Sequence, residues 1–288
     1  MKIFFKCIIS AIILTLLLAP IRMAEIGPGI DWSSLVGFIA FLYLTIFLLL
    51  KFKDKTQVWK IITALIIGEW LLCLNIIYEL FFELPWALPQ LVIQTIGIIC
   101  GYLYLRLSKP LNVFSVLIGC LIAVFMFFQG FDYWFHKISY ETFTGKVKAY
   151  KLPQNIEGIN EKNTRINSQT FQNKIVLLDF WHTRCGVCFQ KFPQLQAFYD
   201  KYKDNGSVVV FAVDKPIEED KQKSAFKVIE EEGYNFPVLL PNDEELPEKF
   251  GVKGYPTTFV IDKQGNVVYK GGIEGAVLMV EELRKQSD

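Results

Sequence analysis

Hydrophobic residues dominate the first half of the chain, and charged residues become frequent only after about residue 135. The first half consists of five apolar runs separated by short polar segments. The runs cover roughly residues 3–19, 33–50, 58–80, 88–107 and 111–135. Because a helix needs about 20 apolar residues to cross a bilayer, this pattern predicts about five transmembrane helices, with the lipid bilayer as a partner. Aromatic residues near the ends of the runs are typical of membrane interfaces.

Basic residues between the runs predict an orientation for this helical half. Lys2 and Lys6 stand before or early in the first run. The second loop and its surroundings contain Lys51, Lys53, Lys55 and Lys60, and the fourth contains Arg106 and Lys109. The first loop contains only Arg22, and the third contains none. Cytoplasmic loops carry the excess of positive charge, so the chain is expected to be a multi-pass protein of the cell (inner) membrane. Its second half is then extracytoplasmic (periplasmic), and this remains true if the first run is a cleaved signal peptide.

The second half of the chain has the alternating pattern of an α/β domain. Residues 174–181 form a continuous apolar run, which is typical of a buried strand in a parallel sheet. Further strands are predicted at residues 207–213, 257–262 and 266–271, and helices after Cys185, at 218–233 and at 275–285. The predicted domains are therefore a transmembrane helical domain (1–137), a linker with short strands (138–170) and an α/β domain (171–288).

The composition removes one class of partner. Lys and Arg together number 30 and Asp and Glu 29, which gives a net charge of +1. No general basic field exists to attract nucleic acid, so none is expected as a partner.

The segment DFWHTRCGVCFQKFP, residues 179–193, places two cysteines two residues apart after the apolar strand. Such a pair can bind a metal, form a structural disulfide or exchange electrons. A zinc site needs four ligands, but the chain has only two histidines, and its other cysteines lie in the apolar runs. A structural disulfide across two residues would restrain little of the unfolded chain. We therefore expect a redox pair with no metal or other cofactor.

The position of the pair suggests a role for each residue. Cys185 lies where a helix begins, so unpaired backbone N–H groups stabilise its thiolate, and Arg184 adds positive charge. Cys185 is the expected nucleophile, and the more buried Cys188 the residue that resolves the mixed disulfide. Asp179, among apolar residues, is expected to have a raised pKa and to handle the proton, the alternative being a solvated or ion-paired carboxylate. His182 is either an exposed loop residue or a further group that stabilises the thiolate.

A second motif, GVKGYPTTFVID at residues 251–262, extends this pattern. Together with Asp179, Phe180, Trp181, the cysteine pair and Pro193, it makes residues 171–273 resemble the thioredoxin superfamily, specifically the membrane-tethered TlpA/ResA-like thiol-disulfide oxidoreductases. The resemblance implies a thioredoxin-like α/β fold and a cis peptide bond before Pro256 beside the active site. It also implies that Trp181, Tyr255 and Pro256 contact the substrate.

The same resemblance implies an enzyme. It would be anchored in the membrane and would exchange, and in net terms reduce, disulfides of extracytoplasmic proteins, using a separate electron donor. The alternative is a thioredoxin-like binding module that docks an envelope partner without net redox turnover.

Three differences from the family pattern bear on the chemistry. Gly186 and Val187 stand between the cysteines where thioredoxin has Gly-Pro, and these positions tune the redox potential. Arg184 stands where thioredoxin and many relatives carry Trp. Lys191 occupies the place, three residues after the second cysteine, where TlpA/ResA proteins often have Glu, so Asp179 is the expected acid here.

Polar residues in the apolar runs raise the question of whether the first half does more than anchor the chain. Glu69 lies near the middle of the third run, and an intramembrane carboxylate is a functional candidate. A Glu that is hydrogen-bonded to a neighbouring helix is the alternative. Cys73, Cys100 and Cys120 lie in separate runs. We predict that the first half anchors the soluble half and carries no electrons.

Overall fold

A computed structural model describes residues 1–24, 32–79, 84–152, 155–217 and 224–286, without the side chains of 22–24, 72–79 and 84–87. Residues 81–83 of the third predicted loop (81–87) and residues 218–223 of the predicted helix at 218–233 fall outside these residues, and 84–87 belong to a helix. The chain divides into two compact units, Met1–Ile138 and Ser139–Asp288.

Long apolar helices make up the first unit. They are α1 Lys2–Ala24, α2 Trp32–Phe52, α3 Val58–Glu79, α4 Leu84–Arg106, and α5 Leu111–Phe125, which a π-helical turn joins to α6 Phe131–Tyr140. The last two residues of α6, including Tyr140, belong to the second unit. In the described part of the chain, four segments are long and apolar enough to cross a membrane: Lys2–Ile21, Trp32–Phe52, Leu88–Arg106 and Leu111–Tyr140. α3 coincides with the third predicted run, but the side chains of its second half are not described. The number of crossings therefore stays a prediction.

The helices of this unit approach one another closely. A Cβ atom on Gly97 of α4 would lie 2.5 Å from the backbone oxygen of Phe38 in α2, so only glycine allows this contact. Glu69 of α3 is buried, and its Oε2 accepts a hydrogen bond of 3.1 Å from the hydroxyl of Thr95 in α4. This interhelical bond is the structural alternative that the sequence left open for Glu69.

The second unit is built on one mixed sheet. Its described strands are β1 Lys146–Lys151, β2 Gly158–Ile159, β3 Arg165–Ile166, β4 Ile175–Trp181, β5 Val208–Asp214, β6 Val238–Pro241, β7 Thr257–Ile261 and β8 Asn266–Gly271. Their order is β1-β8-β7-β4-β5-β6-β2-β3. The helices are α7 Gly186–Tyr202, α8 Ser224–Glu231, α9 Leu246–Lys249 and α10 Ile273–Lys285. β4, β5 and β6 run parallel, and β7 is antiparallel to β4 and β8.

Segment 138–170, predicted as a linker with short strands, extends the sheet at both ends. β1 pairs with β8, and β2 pairs with β6. The predicted order of a β-α-β unit followed by a β-β-α unit is present between residues 175 and 285.

The central strand β4 is buried along its whole length because it has a neighbour on each side and helices over its face. Successive side chains of a strand point to opposite faces. Ile175, Leu177 and Trp181 pack in the same apolar cluster as residues of α7 and α10. Asp179 belongs to this alternating set, so its carboxyl faces α7.

Candidate redox site

The two cysteines lie at the start of α7 and are joined by a disulfide bond. Cys185 is the N-cap residue of the helix, and its Sγ accepts a hydrogen bond of 3.2 Å from the backbone N–H of Cys188. The first turns of a helix direct unpaired N–H groups and positive potential towards such a position, which also stabilises a thiolate there. Cys185 is 7% exposed, whereas Cys188 is completely buried. An incoming thiol or disulfide can therefore reach only the sulfur of Cys185.

Asp179 lies beneath the helix that carries the pair and is 2% exposed. It is paired in register with Thr258 of β7, whose hydroxyl donates a hydrogen bond of 2.7 Å to Asp179 Oδ1. The pKa of Asp179 is raised from 3.8 to about 6. Burial is the largest cause; the hydrogen bond from Thr258 lowers the pKa, and the charge of Glu274 raises it. The prediction of a raised pKa is confirmed, and proton transfer by Asp179 stays a prediction.

The segment that carries Pro256 borders the site. The Tyr255–Pro256 peptide bond is cis, as the resemblance implied. Tyr255 and Pro256 are half-buried, and the Tyr255 ring meets the ring of His182 edge to face at 5.1 Å. His182 therefore packs on the residue expected to contact substrate. The hydroxyl of Tyr140 lies 3.5 Å from the backbone oxygen of Pro256, to which it donates a hydrogen bond.

Trp181 differs from the expectation of a substrate contact. Its side chain is completely buried and packs edge to face against Phe189 and Phe192 of α7, at 6.2 and 5.1 Å between ring centres. The indole has no surface that a substrate could touch in this disulfide form. Its position supports the helix that carries the cysteines.

The three residues predicted to tune the pair lie on its outer side. Arg184 is exposed, and its backbone N–H donates a hydrogen bond of 3.2 Å to Nδ1 of His182. Gly186 is exposed at the first position of α7, and Val187 is half-buried. A Cβ atom on Gly186 would meet nothing within 4 Å, so packing does not require glycine here. Their effect on the redox potential stays a prediction.

Three residues of the site were not found from the sequence: Thr258, Glu274 and Tyr140. Thr258 belongs to the motif that contains Pro256, but only its register opposite Asp179 reveals its hydrogen bond. Glu274 forms an ion pair of 2.6 Å with Lys191, the residue that departs from the family pattern. No local sequence signal marks Glu274 or Tyr140, because each is brought to the site by strands or helices distant in the chain.

Fold and site together define a thioredoxin-fold protein with a dithiol–disulfide centre. A profile of the AhpC/TSA family matches residues 145–270. Thiol-disulfide oxidoreductase ResA from Bacillus thuringiensis subsp. konkukian is 30% identical over 176 residues, which are 61% of this chain and 94% of the relative. ResA from Bacillus cereus (strain ATCC 10987 / NRS 248) is 30% identical over 142 residues, 49% of this chain and 79% of the relative. The chain belongs to the ResA family of thiol-disulfide oxidoreductases.

The solved structures that are similar to this chain include a thioredoxin domain. It is the thioredoxin domain of a thiol-disulfide oxidoreductase from Bacteroides vulgatus, with 26% sequence identity and a TM-score of 0.40. The match covers 47% of this chain and 97% of that chain. The ResA relatives confirm the resemblance noted in the sequence at the level of the family, and the chain is an enzyme of thiol-disulfide exchange.

Proposed function

We propose that this protein is a membrane-anchored oxidoreductase that reduces disulfides of proteins outside the cytoplasm through Cys185 and Cys188. The observation that carries the proposal is the difference between the two sulfurs. One is accessible at the N-cap of a helix, and the other is buried one turn further along. The apolar helices supply the anchor in the lipid bilayer, and their charge pattern favours an extracytoplasmic second unit.

The reaction begins from the reduced pair. The thiolate of Cys185 attacks one sulfur of a substrate disulfide, the substrate S–S bond breaks, and the released substrate sulfur takes up a proton. Cys188 then loses its proton to the Asp179 carboxylate and attacks Cys185 Sγ. The mixed disulfide breaks, the second substrate sulfur leaves as a thiolate, and the Cys185–Cys188 disulfide forms. Two electrons have passed to the substrate, and a separate electron donor must return them to the pair.

The segment beside the pair suits an extended substrate chain. Tyr255 and Pro256 are half-buried, and the Tyr255 ring packs on the ring of His182, which lies three residues before Cys185. The backbone of Tyr255 can pair with a substrate strand, as in other cases in which an extended peptide adds to a protein backbone. Arg184, exposed next to the nucleophile, is placed to contact the same substrate.

Trapping of mixed disulfides tests the roles of the two cysteines. In the full chain, Cys188→Ser should accumulate disulfide-linked substrate proteins through Cys185, because the attack is intact and the resolution is lost. Cys185→Ser should trap none, since the remaining sulfur is buried. Cys120→Ser, which alters a cysteine of the first unit, is the matched control and should behave as the unmodified chain. Equal trapping by the Cys185 and Cys188 variants would overturn the assignment.

Reduction of insulin disulfides separates an enzyme from a binding module. The detergent-solubilised full chain, supplied with a dithiol, should accelerate the reduction, and the variant that lacks both Cys185 and Cys188 should not. A chain that traps partner proteins without accelerating reduction would be a binding module.

A further inference from the structure

An ion pair joins the helix of the redox pair to the last helix of the chain. Lys191 lies three residues after Cys188 on α7, and residues at this spacing share a helix face. Its Nζ is 2.6 Å from Oε1 of Glu274, in the first turn of α10. The side chain of Lys191 is 28% exposed and that of Glu274 is 49% exposed, so the pair lies at the boundary between core and solvent.

The strand register brings this pair close to Asp179. Asp179 is opposite Thr258, and Thr258 is opposite Gly271 at the end of β8. Neighbouring strands lie about 4.8 Å apart, so Gly271 is about 10 Å from Asp179 across the sheet. Glu274 follows three residues later, in a helix that packs on the same face of the sheet as Asp179.

The Glu274 carboxylate turns back from its helix towards the site. A Cβ atom built on Gly272 would be 3.1 Å from Glu274 Oε2 and 3.8 Å from the hydroxyl oxygen of Tyr140. That hydroxyl also bonds the backbone oxygen of Pro256. Glu274 thus faces the space bordered by Tyr140, Pro256 and Asp179.

Each element packed around Asp179 contributes a group to its surroundings. These groups are Thr258 on β7, Tyr269 on β8, Tyr140 on α6, Cys188 and Lys191 on α7, and Glu274 on α10. Among the described residues, Glu274 is the charged group that raises the pKa of Asp179. Burial by itself raises the pKa of Glu274, but the hydrogen bond and charge of Lys191, together with hydrogen bonds from the Glu274 backbone and from Gln194, lower that pKa below its usual value and keep Glu274 ionised.

We propose that Glu274, held in place by Lys191, is a positioning residue of the redox site whose negative charge strengthens Asp179 as the acceptor of the Cys188 proton. The inference rests on the proposed function, because it concerns the step in which the mixed disulfide is resolved. In that step the proton of the Cys188 thiol moves to Asp179, and the Cys188 sulfur displaces the substrate sulfur from Cys185. Lys191 limits the effect by partly neutralising Glu274.

Two variants with opposite expected effects test the proposal in the detergent-solubilised full chain. Glu274→Gln removes the negative charge, so the pKa of Asp179 should fall. Lys191→Gln leaves Glu274 without its counter-charge, so the pKa of Asp179 should rise. Each shift should be about half a pH unit, the size expected for a half-exposed charge at a separation of about 10 Å. Because the potentials of the two opposite charges add at Asp179, the double variant should have a pKa close to that of the unmodified chain.

The chain offers a matched control on the same two helices. Lys201 of α7 and Glu281 of α10 form an exposed ion pair of 2.5 Å, further along both helices from the cysteines. Glu281→Gln should leave the pKa of Asp179 unchanged. A common loss of α7–α10 packing would instead move the pKa in both Glu274→Gln and Glu281→Gln.

The pKa of Asp179 is read from the ¹³C chemical shift of its carboxyl, which is assigned by its disappearance in Asp179→Asn. The rate at which Cys188 resolves a preformed mixed disulfide is then followed against pH in the same variants. Opposite shifts in Glu274→Gln and Lys191→Gln support the proposal, and equal shifts or none overturn it. If the pKa moves as expected while the rate profile stays fixed, Glu274 acts on Asp179 as inferred, and it is the proton role of Asp179 in the proposed function that fails.

Discussion

Asp179→Asn should stabilise the disulfide form of the protein at neutral and alkaline pH. The substitution keeps the shape of the side chain and the oxygen that accepts the bond from Thr258; it removes the charge and replaces the other carboxylate oxygen by an amide NH2 group. Burial raises the pKa of Asp179 from 3.8 to about 6, so the folded protein holds this proton more tightly than the unfolded chain. Ionisation of Asp179 therefore lowers the free energy of unfolding as the pH rises from the unfolded pKa of 3.8 through the folded pKa of about 6.

The size of the effect follows from the two pKa values. Their difference, at 1.36 kcal/mol per pKa unit, corresponds to about 3 kcal/mol. The full amount applies above about pH 7, and most of it is absent at pH 4, where Asp179 is protonated in the folded protein. Asp179→Asn should thus raise the free energy of unfolding by about 3 kcal/mol at pH 8 and by well under 1 kcal/mol at pH 4.

Hydrogen exchange in increasing urea measures this for the second unit within the full chain. Peptides from β4 and β7 report the opening of the sheet that contains Asp179 and Thr258. Asp200→Asn is the control, because Asp200 is exposed on α7 and its pKa is lowered by hydrogen bonds from Gln196 and Lys203. It should give no gain at pH 8. If Asp179→Asn changes the free energy of unfolding by the same amount at pH 4 and at pH 8, the carboxyl does not have the desolvated environment described above.

Two further predictions concern the first unit. The charge pattern predicts that the second unit is extracytoplasmic, so alkaline phosphatase fused after residue 288 should be active; a silent phosphatase, with an active cytoplasmic reporter at the same point, would refute the orientation. Replacing Cys73, Cys100 and Cys120 together by Ser should leave the redox state of Cys185 and Cys188 in cells unchanged, since Cys100 and Cys120 pack in one apolar cluster of the described residues as free thiols and not as a disulfide. Accumulation of the oxidised pair in that variant would show that the first unit carries electrons.

The features of this protein that the sequence determined by itself are local ones. The apolar runs predict long helices because their length matches a bilayer, and long helices are present at all five places. The run at residues 174–181 predicts β4, and the cysteine spacing after it predicts a helix that begins at Cys185. Residue chemistry and spacing of this kind need no knowledge of distant contacts. They were enough to indicate the family.

Burial and register were decided only by the tertiary structure. Trp181 lies next to the active-site loop in the sequence, yet aromatic residues of α7 cover it completely, so proximity along the chain did not predict exposure. Thr258 and Asp179 are 79 residues apart, and Lys191 and Glu274 are 83 apart. Such pairs form because β7 aligns antiparallel to β4 and α10 packs beside α7, and a side-chain pattern read along one segment contains no information about that alignment. Asp179, the carboxyl expected to handle the proton, could therefore be identified from the sequence. Thr258 and Glu274, which shift its pKa, could be identified only from the tertiary structure.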